Sequence, residues 1–388
     1  MQVYLVGGAV RDRLLGRSPT EHDWVVVGAT PEEMQRLGYR AVGRDFPVFL
    51  HPGTGEEYAL ARLERKVGPG YRGFVTEHSP QVTLEQDLER RDLRINAMAQ
   101  RDDGTIIDPF GGRSDLEQRL LRHVSPAFAE DPVRILRVAR FSARFAPLGF
   151  RIAPDTLDLM RQMVQAGETA ALVPERVWRE LERALGEPQP EAFFETLAAC
   201  GALDTVLPEL GPLWIAAAEA KAGHCVGLPA LRQAAKAGCS NPVRMAAFMA
   251  SLPAEQIETF CERLRVPNEY RELALLSARL GTQLPDGEMP QPALVHDPAW
   301  LLGLLEGADA FRRPGRFAEW LEVLGARASA RGGSSAAIGA SIATLKDAAA
   351  RATAVRLDPD AIRGLPGPEI AQQLRRLRLA ALGAPQDD

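Results

Sequence analysis

Hydrophobic and polar positions along the chain fall into two regimes. Up to about residue 110 the apolar runs are short, and QVYLVGG, DWVVVG, FPVFLHP, EEYALAR and GTIIDPF read as strands with helical stretches between them. MQVYLVGG alternates only weakly but is apolar enough for a buried strand; Gly7 and Gly8 break it, and AVRDRLLG resumes at helical spacing. Beyond about residue 115, Leu, Ala and Arg recur every three or four residues in EDPVRILRVARFSARF, PDTLDLMRQMV and PERVWRELERALG, so the chain reads as almost wholly helical. An α+β protein follows: a head with a mixed sheet and helices over 1–120, a helical neck over 121–208 and a helical body over 209–388. The Gly/Pro-rich stretches Glu187 to Pro190, Leu284 to Pro292 and Arg331 to Ser335 read as loops or linkers, and the aperiodic stretch between Arg65 and Glu85 as a mobile loop. No solenoid-type repeat is present in the sequence.

Composition sharpens this picture at a few points. A chain of 388 residues exceeds the usual size of one core, and its 46% hydrophobic and 25% charged residues are those of a soluble globular protein. No apolar run approaches the roughly 18 residues of a membrane span, and the N-terminus enters a strand directly, so a cytoplasmic location without membrane contact is expected. Cys200, Cys225, Cys239 and Cys261 are widely spaced and match no zinc pattern, which leaves buried free thiols as the expectation. The net charge of −5 does not advertise a nucleic-acid partner. Arginines nevertheless gather at Arg90, Arg91 and Arg94, at Arg134, Arg137, Arg140 and Arg144, and at Arg375, Arg376 and Arg378, and an acidic protein can still present a basic cleft.

Candidate chemistry concentrates in the head. A glycine pair at a strand-to-helix turn lets a triphosphate approach bare backbone N–H groups at the positive end of a helix dipole. Glu21 and Asp23, at the entrance to DWVVVG, project on one face of a strand and can share hard divalent cations. Joined to the glycine turn, they point to nucleotidyl transfer. In RRDLRIN, Arg91 and Asp92 precede a helix that includes Asn96, and an arginine fork there suits a phosphate or a sugar hydroxyl. Asp131 is placed to cap a helix whose first turn holds Pro132, and Asp131, Arg134, Arg137 and Arg140 recur every three residues along one side of it.

Five ordered stretches carry a family resemblance: LVGGAVRD with the acidic pair, VGRDFPVFLHP with EEYALARLERK, LERRDLRINAMA, IIDPFGG with Asp115, and EDPVRILRVARF. They resemble the bacterial tRNA nucleotidyltransferases, the CCA-adding enzymes of class II of the polymerase-beta-like superfamily, densely over the first roughly 210 residues and thinly over the C-terminal third. The resemblance implies a polymerase-beta-like head that adds and repairs the 3′-terminal CCA of tRNA without a nucleic-acid template, using CTP and ATP with Mg2+ and releasing pyrophosphate. It makes Glu21 and Asp23 metal ligands and Glu57 a third carboxylate near the attacking hydroxyl. Around the nucleotide it sets Gly8, Arg11, Arg91, Asp92 and Asn96, with Asp131 and Arg134 reading the base and Arg137 and Arg140 facing phosphate or sugar. A carboxylate accepts from the exocyclic amino group that C and A share, whereas U and G present the opposite pattern.

Two departures accompany the resemblance. Glu21 stands where the family usually has Asp, which keeps the charge and adds one methylene. Where an HD-type phosphohydrolase of the C-terminal region would place its ligands, the chain reads AAFMASLPAEQ, and the dipeptide His296-Asp297 reads as a helix start before Pro298. A helical remnant without hydrolase activity is therefore expected, serving packing and tRNA contact. In the family that the chain resembles, a loop at the place of the stretch between Arg65 and Glu85 is required for the final A, so the resemblance implies full CCA addition. A poly(A) polymerase, an enzyme adding only part of CCA, and a non-catalytic tRNA-binding relative remain alternatives, and the sequence is compatible with a monomer or a homodimer.

Overall fold

The computed structural model describes residues 1–42, 48–66, 68, 74–215, 225–281, 284 and 297–383. The chain divides into two compact units, Met1–Pro208 and Glu209–Asp388.

The first unit runs β1 (Gln2–Val6), α1 (Gly8–Leu14), β2 (Asp23–Val27), α2 (Pro31–Arg36), β3 (Arg40–Val42), β4 (Val48–Leu50), β5 (Glu57–Leu60), β6 (Arg62–Lys66), β7 (Phe74–His78), α3 (Leu84–Glu89), β8 (Ala99–Gln100), β9 (Ile106–Ile107), α4 (Gly112–Gln118) and β10 (Leu120–Leu121). It continues through α5 (Val133–Phe145), β11 (Arg151–Ile152), α6 (Pro154–Gln165), α7 (Pro174–Gly186), α8 (Glu191–Ala199) and α9 (Leu203–Val206). The main sheet has the order β3-β4-β5-β2-β1-β8-β9 and is mixed, because β2 and β5 run parallel while the other neighbours are antiparallel. Strand alternation gives it two apolar faces. Tyr4, Val6 and Val25 pack with Leu84 and Leu88 of α3 on one face. Val26, Tyr58 and Leu60 pack with Met34 of α2 on the other. Both covering helices start at capping boxes, Thr30 with Glu33 and Thr83 with Gln86, so their registers against the sheet are set locally.

Three expectations change. The stretch read as a mobile loop takes in the end of β6 and all of β7, which form an antiparallel hairpin in which Arg62 faces His78 and Lys66 faces Phe74. Its glycines and Pro69 crowd into 67–73, which leaves the flanks able to form a cross-strand ladder that periodicity does not reveal; apart from Gly68, that central stretch lies outside the described residues. The helix expected to include Asn96 is a single 3-10 turn, Arg94–Asn96, because β8 begins three residues later and leaves no length for a helix. Within the helical half, Leu120 and Leu121 form a short parallel ladder with Arg151 and Ile152.

The second unit comprises α10 (Gly211–Ile215), α11 (Leu228–Lys236), α12 (Asn241–Met249), α13 (Ala254–Leu264), α14 (Asn268–Gly281), α15 (Pro298–Gly307), α16 (Pro314–Ala330), α17 (Ser335–Ala354) and α18 (Gly367–Gly383), with no strand among the described residues. Trp320, Leu302, Leu273 and Val323 are fully buried in its core. The Asp297 side chain caps α15, accepting from Ala299 N and Trp300 N, while His296 and His224 lie outside the described residues, as does most of Leu284 to Pro292. No described helix is long and apolar enough to cross a membrane. All four cysteines are free thiols, three of them buried, and burial pushes the Cys261 thiol up to about 12.

Candidate active site

The site begins where β1 ends. Gly7 turns the chain with φ 69° and ψ −131°, a conformation that L side chains rarely adopt, and a Cβ there would stand 2.9 Å from Arg91 Nη1. Gly8 then opens α1. Beside this turn, Val6 pairs with Asp23 across the antiparallel ladder, and Asp23 pairs with Glu57 across the parallel one. Asp23 stands two residues before Val25 and so shares the face that α3 covers, whereas Tyr58 and Leu60 face the other way. Glu57 therefore projects on the same face as Asp23, and both are exposed at the strand ends. Glu56 takes the opposite direction: it pairs with His22 Nδ1 at 3.1 Å and accepts from Trp24 Nε1 at 3.2 Å. Glu21 is exposed just ahead of β2.

Among the described residues no cluster of three or more His, Cys, Asp or Glu side chains forms a ready-made metal cage. Glu21 and Asp23, two residues apart and both exposed, offer hard oxygen donors open to solvent, with Glu57 in register beside Asp23. That donor set fits a small divalent cation which completes its shell with water and substrate phosphate.

Behind the turn lies a lattice of buried charges. Asp87, fully buried, accepts from Arg90 Nη2 at 2.6 Å, Arg91 Nη2 at 3.2 Å and Arg62 N at 3.3 Å. Burial alone would raise its carboxyl pKa, but the two guanidinium groups outweigh burial and hold it below the usual carboxylate value. Arg91 is thereby aimed at the Gly7 turn, with its buried Nε meeting no acceptor among the described residues. Asp92 accepts from Leu93 N at 2.8 Å, Asn96 Nδ2 at 3.0 Å and Arg137 Nε at 2.8 Å. Here too burial is outweighed, chiefly by Arg137, and the pKa is depressed. Asn96 Oδ1 accepts from Arg11 Nη1 at 2.6 Å, and Arg11 forks onto Asp12 with two bonds of 3.0 Å.

On the α5 side, Asp131 Oδ1 accepts from Val133 N at 3.1 Å and from Arg176 Nη1 at 3.2 Å, while Oδ2 accepts from Arg176 Nη2 at 2.8 Å. Arg134 donates to the backbone carbonyls of Ala127 at 2.7 Å and Arg90 at 2.6 Å. Arg140 Nε donates to Glu180 at 2.6 Å beneath the ring of Phe141. Three expected nucleotide contacts are thus employed elsewhere, Arg134 among them, 7% exposed with both terminal nitrogens on those carbonyls. Arg11 is 3% exposed and held by Asp12, Asn96 and the Phe145 ring, and Arg140 is 7% exposed and held by Glu180. The reason for Arg140 is rotational: each three-residue step slips about 60° around a helix, so Arg140 lies about 120° from Arg134.

The residues absent from the sequence reading are Asp12, Asp87, Arg176 and Glu180. Glu180 was visible in principle: Val177, Leu181 and Ala184 are buried around it on α7, so an acid on that apolar stripe requires a buried partner. Asp87 stands three and four residues before Arg90 and Arg91, the spacing of helical ion pairs. Asp12 and Arg176 have no comparable signal.

Paired carboxylates at the starts of two central strands, a glycine turn backed by arginine and an arginine-rich helix together define a nucleotidyltransferase. Residues 3–122 match the family described as Poly A polymerase head domain, and residues 149–213 match the probable RNA and SrmB-binding site of polymerase A. A Multifunctional CCA protein of Alkalilimnicola ehrlichii is 53% identical over 100% of this chain and 98% of its own length. A CCA-adding enzyme of Pseudomonas putida is 50% identical over 99% and 98%. The solved CCA-adding enzyme of Bacillus stearothermophilus in complex with CTP matches with a TM-score of 0.68 at 27% identity, covering 98% of this chain and 88% of that one. The chain belongs to the CCA-adding enzyme family.

Proposed function

We propose that this protein adds and repairs the 3′-terminal CCA of tRNA in the cytoplasm, joining the tRNA 3′-hydroxyl to the α-phosphate of CTP or ATP with release of pyrophosphate. The observation that carries the reading is the register of Asp23 beside Glu57 at the Gly7 turn, with Arg91 behind that turn. Asp23 and Glu21 would hold Mg2+, which supplies Lewis-acid stabilisation of the attacking and leaving oxygens when bound. Glu57 sits to orient the hydroxyl, the Gly7–Gly8 backbone and Arg91 bind the triphosphate, and the lattice through Asp92, Asn96 and Arg137 keeps that arginine side of the site rigid. Asp131 chooses the base, its carboxylate accepting the amino group of C or A, while Arg134 braces the start of α5 through the Ala127 and Arg90 carbonyls.

The test is incorporation of labelled CTP, ATP, UTP and GTP into tRNA transcripts ending before CCA, after C and after CC. Ordered addition of two Cs and one A, then stopping, is expected. Long A tails would identify a poly(A) polymerase instead. Asp23→Ala is expected to abolish incorporation while leaving tRNA binding intact, and wild-type rates in that variant would remove the metal-ligand assignment.

A further inference from the structure

We infer that Arg327, in the last turn of α16, is the seat of an oxyanion site that takes a phosphate group, either the free ion or the phosphate of a nucleotide. The site lies wholly within the second unit and is independent of the nucleotidyl-transfer reading.

Four arginines are buried among the described residues, and three of them are fully engaged. Arg11 holds Asp12 and Asn96, Arg134 holds two backbone carbonyls, and Arg140 holds Glu180. Arg327 holds nothing. Its buried Nη1 meets no acceptor, and its guanidinium makes no hydrogen bond or ion pair among the described residues. A charge withdrawn from water in this way is strongly destabilising unless an opposite charge completes it. Burial and the neighbouring Arg331 both push the Arg327 pKa down, with no acid among the described residues to offset them. A guanidinium nevertheless keeps its proton at physiological pH, so the group cannot escape by becoming neutral.

The surroundings suit an oxyanion. α16 packs against α12 and α14, and Gly281, the last residue of α14, faces the guanidinium. A Cβ at Gly281 would stand 3.1 Å from Arg327 Nη1 and 3.8 Å from the Ala250 carbonyl oxygen at the end of α12. Gly281 lies outside the left-handed region, so its backbone would accept a side chain; what the glycine supplies is room in front of a cation. The carbonyl end of α12 steadies the positive charge through its dipole but takes no hydrogen bond from it. Trp320 Nε1, two turns earlier on the same side of α16, is also unpartnered, but Trp320 is fully sealed, whereas Arg327 keeps 8% of its surface open to solvent. Arg331, one turn on and exposed, sets a second positive charge on the solvent side. Two positive charges match the double charge of phosphate better than the single charge of chloride or a carboxylate, and the planar fork presents paired N–H groups to two oxygens.

The test is thermal melting of the full-length protein in a phosphate-free buffer to which sodium phosphate is added, with sodium chloride balancing the ionic strength. The melting temperature of the wild type is expected to rise saturably, by about 4 °C at ten times the dissociation constant. Arg327→Met removes the buried charge, so it should melt higher than wild type without phosphate and lose the saturable rise. Gly281→Ala keeps the charge but fills the space before it, and should weaken the rise; it carries the test if Arg327→Met does not fold. Isothermal titration with phosphate should find one site more in the wild type than in Arg327→Met, which leaves any phosphate bound in the head common to both. AMP separates the sources: a rise with inorganic phosphate alone assigns the free ion, and an Arg327-dependent rise with AMP assigns a nucleotide phosphate. An equal rise in wild type and Arg327→Met, or in Gly281→Ala where it stands in, is general salt stabilisation and overturns the inference. No rise in the wild type overturns it as well.

Discussion

At the scale of single residues, Gly7 and Asp87 act together through one arginine. Gly7→Ala combines a backbone conformation costing on the order of 1–3 kcal/mol with a Cβ driven against the Arg91 guanidinium. Catalytic turnover should fall at least tenfold more than global stability would account for, as read by incorporation assays beside thermal melts. Asp87 has a pH signature. Asp87 and Asp92 both titrate lower in the folded chain than in the unfolded one, so the unfolded chain takes up protons first on acidification. Their contribution is full above the ordinary carboxylate pKa of about 4 and disappears as pH falls toward the depressed folded values. Asp115 and Glu187, raised by burial, act in the opposite sense, so the comparison must be between proteins that share them. Urea midpoints of Asp87→Asn should lie below wild type at neutral pH and converge on it as pH falls below about 4. A constant gap across that range would exclude Asp87 as the source.

At the scale of elements, α5 and α7 form a charged seam inside a mostly apolar neck. Glu180→Ala leaves the buried Arg140 guanidinium without its closest acid, and breaking such a pair costs about 3–5 kcal/mol. Replacing both partners, Glu180→Leu with Arg140→Met, should return most of the lost thermal stability, because no buried charge remains. This seam also marks what the sequence could and could not reveal. Strands β1, β2, β4, β5 and β9 and helices α5, α6 and α7 follow from local periodicity, and so does the glycine turn; Glu21 lies ahead of β2, so strand alternation does not set it beside Asp23. The partners of Asp131 and Arg140 lie some forty residues away and depend on how two helices meet, which periodicity along one segment does not encode. The β6–β7 hairpin escaped for a related reason, since its ladder is set by cross-strand pairing rather than by a hydrophobic repeat.

At the scale of the whole molecule, each unit has its own apolar core, one around the sheet and neck, the other around Trp320. Calorimetry is therefore expected to resolve more than one transition, with Asp87→Asn lowering only the one that belongs to residues 1–208; a single sharp transition moved as a whole would refute independent cores. Within the first unit, the parallel pairing of β2 with β5 fixes the carboxylates by backbone hydrogen bonds rather than by the path of the chain between them. Residues 28–56 make that excursion through α2, β3 and β4 and return to the same register. The two acids are thereby insulated from length changes in the excursion. Insertions at its turns, such as an affinity tag or a fluorescent reporter, have a place in the head that leaves the reacting geometry untouched.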